Sequence, residues 1–150
     1  MEEPLSRCSL YPSLTAVNRT VHAAIVFMAI FCLVSCSLLE VQSSEYLDYQ
    51  SVLADGAIDR GWIPEFLPRS AAQIREKHDL DSNASLLVFS FEAGDHAELK
   101  QACSPADNIE SPTLQASWWP KDLPSHDLAF YRCLDGYLEL SIGTAYFWRP

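Results

Sequence analysis

The sequence predicts an α+β domain: a small four-stranded, mainly antiparallel sheet packed by two or three short helices and fastened by one disulfide. Three observations carry that prediction. Residues 86–91 form a short apolar run that follows a turn, and the stretch from Phe130 to Trp148 is divided by the Asp135-Gly136 and Gly143 turn signals, which is the pattern of strands. Ser70 and Asp95 each open a segment with the spacing of a helix capping box. Cys103 and Cys133 are the only cysteines beyond position 36, so each has one available partner.

Taken in order, residues 37–45 show no sustained period and read as part of a spacer over 36–45. Residues 46–57 then suggest a short helix ending at Gly56, with Tyr46, Tyr49, Leu53 and Ala57 three or four apart. Residues 60–68 hold Pro64 and Pro68 and are expected to be extended, at an edge or in a loop, because proline lacks a ladder donor. Ser70-Ala71-Ala72-Gln73 predicts a helix running to His78, closed by the turn-forming Asp79-Leu80-Asp81-Ser82-Asn83. Leu87, Phe89 and Phe91 share one face of the first strand. A second helix is expected from His96 to about Cys103. Residues 104–128 contain four prolines with Trp118 and Trp119 and read as a long loop; loops of more than about 12–15 residues are often functional. Three strands follow at 130–134, 137–142 and 145–148, separated by Asp135-Gly136 and Gly143. A single domain over residues 46–150 results.

The amino-terminal part has a different character. Residues 23–35 form thirteen positions without a charge, whereas a spanning helix needs roughly 20. Arg19 precedes the run, which is the arrangement of a secretory signal peptide. Leu33-Val34-Ser35-Cys36 at its end resembles the lipobox of bacterial lipoproteins. The resemblance implies a signal peptide over 1–35, cleavage before Cys36, and diacylglyceryl and palmitate-type acyl chains on the Cys36 sulfur. It further implies an envelope location facing the periplasm, and Ser37, where an inner-membrane retention signal would carry Asp, implies the outer membrane. Glu2 and Glu3 are unusual in such a leader, and Val17 is an alternative start that leaves a compact one.

Formal net charge is −10, and because Glu2 and Glu3 balance Arg7 and Arg19, the residues after 35 keep all of it. An acidic surface disfavours nucleic acid and anionic lipid, so the membrane is expected as a partner only through the acyl chains on Cys36. A disulfide between Cys103 and Cys133 is expected in a compartment that permits one.

Gly61-Trp62-Ile63-Pro64 and His78-Asp79-Leu80-Asp81-x-Asn83, with Arg60 and Arg75 between and around them, resemble a family of small bacterial lipoproteins, the YbbD head domain. The resemblance spans roughly residues 46–92 and implies a domain without assigning an activity. Arg60, Trp62, Arg75, His78, Asp79, Asp81 and Asn83 are the residues expected to converge, as a structural network or as a binding site. Asp79-x-Asp81-x-Asn83 looks like half of a calcium loop, but Ala84 and Ser90 stand where the loop needs Gly and Glu. His78, His96 and His126 lack zinc-ligand spacing. No nucleophile elbow, zinc-protease or phosphate-loop motif occurs, so no catalytic, cofactor-binding or metal residue is expected. The functional expectation is a non-enzymatic, lipid-anchored module that binds another protein or an envelope component through the 104–128 loop and its acidic surface. An immunity-like inhibitor of an extracytoplasmic enzyme is the alternative, and a small hydrolase the third.

Overall fold

A computed structural model describes residues 40–125 and 128–150. The leader, Cys36 and His126 lie outside the described residues. Glu40–Pro150 is one unit. It is mostly β: strands β1 (Val41–Asp48), β2 (Ala72–Asp79), β3 (Ser85–Ser90), β4 (Ser104–Ala106), β5 (Phe130–Cys133), β6 (Gly136–Ser141) and β7 (Thr144–Arg149), with two short helices, α1 (Tyr49–Asp55) and α2 (His96–Gln101). All seven strands join one sheet in the order β1-β2-β3-β7-β6-β5-β4. Every pairing is antiparallel, and β7 sits at the centre.

The expected four-stranded α+β sheet is therefore corrected to seven strands, and each addition has a physical reason. The helix expected over 71–78 is β2. Its alternation is strict, with Ile74, Glu76 and His78 buried and Arg75 and Lys77 on the other side, but two of the three inward positions carry ionisable side chains and hide the period. Ser70 does not cap a helix: its hydroxyl accepts from the Glu92 backbone N–H at 3.0 Å and donates to the Asp95 carboxylate. Asp95 is thereby drawn away from α2, which has no side-chain cap. From Val41 onward the expected spacer is β1, an edge strand with so little buried surface that no apolar stripe marks it. Three-residue β4 is the opposite edge, where Pro105 costs no interior ladder bond.

Helix α1 starts later than expected because Asp48 and Ser51 form a reciprocal capping box, and it ends at Gly56 in the left-handed conformation. Residues 57–71 are a run of tight turns rather than an extended segment, with Ile63 N–H bonded to Ala57 and Leu67 N–H to Pro64. They bury Ala57, Ile63, Leu67 and Ala71 against Ile74, Leu87, Phe89 and Phe147 on one face of the sheet. The Cys103–Cys133 disulfide ties the end of α2 to β5 on this face, with Cα atoms 4.6 Å apart.

The second face is covered by the proline-rich segment. Its apolar side chains, Ile109, Leu114, Ala116, Trp118 and Trp119, pack on Leu86, Phe130, Tyr137 and Trp148. Trp148 Nε1 donates to the Glu110 carbonyl at 2.7 Å, and Lys77 Nζ to that of Gln115 at 2.7 Å. The long loop is thus a strap whose inward half is core. Gly136 is required where β6 meets β7: a Cβ there would lie 2.5 Å from the Trp148 carbonyl and 2.6 Å from the Phe147 ring.

Candidate functional site

Because β2 alternates, Glu76 and His78 project beneath the 57–71 segment. Gly61, at φ +76°, turns the chain so that Trp62 lies flat on the His78 ring, centroids 4.3 Å apart and planes at 27°. Arg60 covers the outer face of Trp62 at 3.9 Å and pairs with the Asp55 carboxylate at the end of α1. Tyr46 of β1 donates its hydroxyl to the same carboxylate at 2.8 Å. From the end of β7, Arg149 donates to the Gly61 carbonyl at 3.1 Å and to Asp135 at 2.7 Å. The result is a stack, Asp55 to Arg60 to Trp62 to His78 to Glu76, drawn from three segments: α1, the 57–71 turns and β2.

Glu76 and His78 are 1 % and 4 % exposed. Glu76 Oε1 and His78 Nδ1 are joined by a hydrogen bond of 2.5 Å. Burial pushes the Glu76 carboxyl up to about 8, against the opposing pull of Arg149 and Arg60. Burial also lowers His78, reinforced by Arg60 and opposed by Asp79. Both shifts favour the uncharged forms, so the pair is a neutral acid joined to a neutral imidazole rather than a salt bridge. Three buried polar atoms of this site have no partner among the described residues: Glu76 Oε2, His78 Nε2 and Ser85 Oγ. Ser85 stands opposite His78 in the β2–β3 register and opposite Arg149 in the β3–β7 register. Carboxyl, imidazole and hydroxyl are the inventory of a proton relay, yet Trp62 and its Arg60 clasp cover them. In this conformation the chemistry serves to hold the turn segment onto the sheet.

Of the residues expected to converge, Arg60, Trp62 and His78 do. Arg75 is on the other face of β2 and pairs with Glu45 at 3.5 Å, both side chains exposed. Asp79, Asp81 and Asn83 form the β2–β3 turn: Asp79 Oδ1 accepts from the Asp81 N–H at 2.9 Å, which lowers the Asp79 pKa, and Asn83 takes a φ of +61°. Glu76, Ser85, Asp55 and Arg149 were not anticipated. Reading residues 72–79 as a strand would have placed Glu76 beside His78, which is the signal that could have found the pair. Among the described residues no group of three His, Cys, Asp or Glu side chains is gathered for a metal, and no helix is long and apolar enough to cross a membrane.

No curated protein and no solved structure matches the chain. Residues 40–90, which carry β1 to β3 and the stack from Asp55 to Glu76, match the family model of the YbbD head domain, so the resemblance drawn from the Gly-Trp-Ile-Pro and His-Asp-Leu-Asp words is shown over that segment.

Proposed function

We propose that the protein is a lipoprotein of the bacterial envelope, anchored through acyl chains on Cys36 and facing the periplasm from the outer membrane, whose acidic head holds a protein or other envelope component at the membrane surface. The observation that carries this reading is the Leu33-Val34-Ser35-Cys36 sequence standing just ahead of the folded unit, whose first residue is Glu40. The Glu40 carbonyl already accepts from Leu80 N–H at 2.9 Å, so residues 40–45 of the expected 36–45 spacer belong to the folded unit and only 36–39 stand between it and the acylated cysteine. Four peptide units reach at most about 14 Å. The Cys103–Cys133 disulfide suits an oxidising compartment.

The 107–125 strap supports a modified view of the binding surface. Since Trp118, Trp119 and Leu114 belong to the core, what it offers a partner is its outward side, including Asp107, Glu110 and Asp122, all exposed. Labelled palmitate should enter the native chain and not the Cys36→Ala variant. An unmodified full-length chain in the soluble extract, read by intact mass, overturns the proposal. For the partner, photo-crosslinkers placed at Asp107 or Asp122 in native envelopes should capture one recurrent neighbour; the absence of any removes the binding half of the reading.

A further inference from the structure

We propose that β1 is a self-complementary edge through which two copies of this chain pair antiparallel about a two-fold axis at Ser44, making one continuous sheet. The bond from Leu80 N–H to the Glu40 carbonyl fixes the parity of the β1–β2 ladder. Residues 40, 42, 44 and 46 exchange bonds with β2, so the N–H and C=O groups of Val41, Ser43 and Glu45 point away from the sheet, while at Leu47 the ladder skips a pair before Tyr49 N–H bonds the Ala71 carbonyl. Eight residues long and without proline, glycine or lysine, β1 carries a single charge among its outward residues, Glu45. The other edge, β4, is short and carries Pro105.

The side chains of Val41, Ser43, Glu45 and Leu47 share the face that bears Arg75. Two of them are exposed and apolar, Val41 at 39 % and Leu47 at 78 %. In the register centred on Ser44, the side chain of Val41 meets Leu47 of the second copy at both ends and Ser43 meets Glu45 twice, the two Ser43–Glu45 pairs giving about four backbone bonds. A shift by one pair in one direction sets Glu45 opposite Glu45 and strands Val41; in the other it strands Leu47. Hydrogen-bond parity, apolar matching and charge therefore select one register. Because Glu45 is paired with Arg75 of its own chain, it enters partly neutralised. The inference does not depend on the lipid anchor.

The test uses the full chain in its native cell. In this register Ser44 faces Ser44 of the second copy as a non-hydrogen-bonded pair, with Cα atoms about 4.5 Å apart, within disulfide reach. Ser44→Cys should give a dimer whose linked peptides join at position 44 under mild oxidation, and Gln42→Cys should not. Adding Leu47→Lys, at a site already exposed, should abolish the crosslink. The parent chain run alongside reports any bond through Cys36 separately, so failure of the lipid reading gives a different peptide pair. No 44–44 link, an equal link from Gln42→Cys, insensitivity to Leu47→Lys, or capture of a different protein at position 44 each overturns the proposal.

Discussion

The two faces of the sheet solve the same problem with opposite materials. On one, residues 57–71 are held down by Arg60, Trp62, His78 and Glu76, where a stacked cation and an uncharged acid–imidazole pair bear the contact. On the other, the 107–125 strap rests on an aromatic cluster in which Trp119, Phe130 and Tyr137 all surround Trp148. The buried polar groups of the first face make its hold depend on proton activity. The second face shares that dependence only through Glu139, a single buried acid raised by burial, one oxygen of which keeps a bond from Ser141 at 2.8 Å.

The heaviest blow to that contrast is Trp148→Ala, which removes the hub of the aromatic face and the bond to the Glu110 carbonyl. We expect a loss of about 3–5 kcal/mol in denaturant unfolding. A loss below 1 kcal/mol would mean that the strap is held by something other than its aromatics.

Next comes the proton dependence of the first face. With its folded pKa near 8 against an ordinary 4.5, Glu76 contributes fully below pH 4.5 and its contribution drains as pH rises through 8. His78, lowered from 6.5, acts in the reverse sense and penalises the fold as pH falls through 6.5. Between pH 5 and pH 9 the Glu76 effect amounts to roughly 4 kcal/mol. Glu76→Gln keeps a polar partner for His78 Nδ1, so its melting temperature should stay level from pH 6.5 to pH 8, where the parent falls. Parallel curves would refute the neutral pair.

Reducing the Cys103–Cys133 bond should cost about 3–4 kcal/mol in the chain-entropy account, evenly across pH. A pH-dependent cost would couple the disulfide to the ionisable stack and blur the division between the faces. Arg75→Ala should be the mildest, within about 1 kcal/mol, because an exposed pair with Glu45 is all it loses. A large drop in melting temperature would restore Arg75 to the network in which the sequence had placed it.

The legibility of the sequence followed the chemistry of each inward position. β3, β6 and β7 were readable since Leu87, Phe89, Leu138 and Phe147 fill their inward sites. β2 was not, with Glu76 and His78 where apolar residues would betray a strand. β1 was invisible because an edge strand exposed on both sides needs no stripe. Ser70 matched the helix-start pattern in residue types, but its hydroxyl was engaged by Glu92 and Asp95, which lie over twenty positions away. At the candidate site, Trp62 and His78 were visible as unusual residues, while Asp55 and Arg149 entered from distant elements that no local window joins.

The place of β7 between β3 and β6 bears on biosynthesis. The half of the sheet that begins at β1 and the half that ends at β4 have no shared ladder until Thr144–Arg149 is in place. A nascent chain leaving the ribosome amino end first therefore waits for residues 144–149, after all six other strands, before the sheet can close, and any stop mutation or protease that removes β7 leaves two separate sheet fragments with open edges.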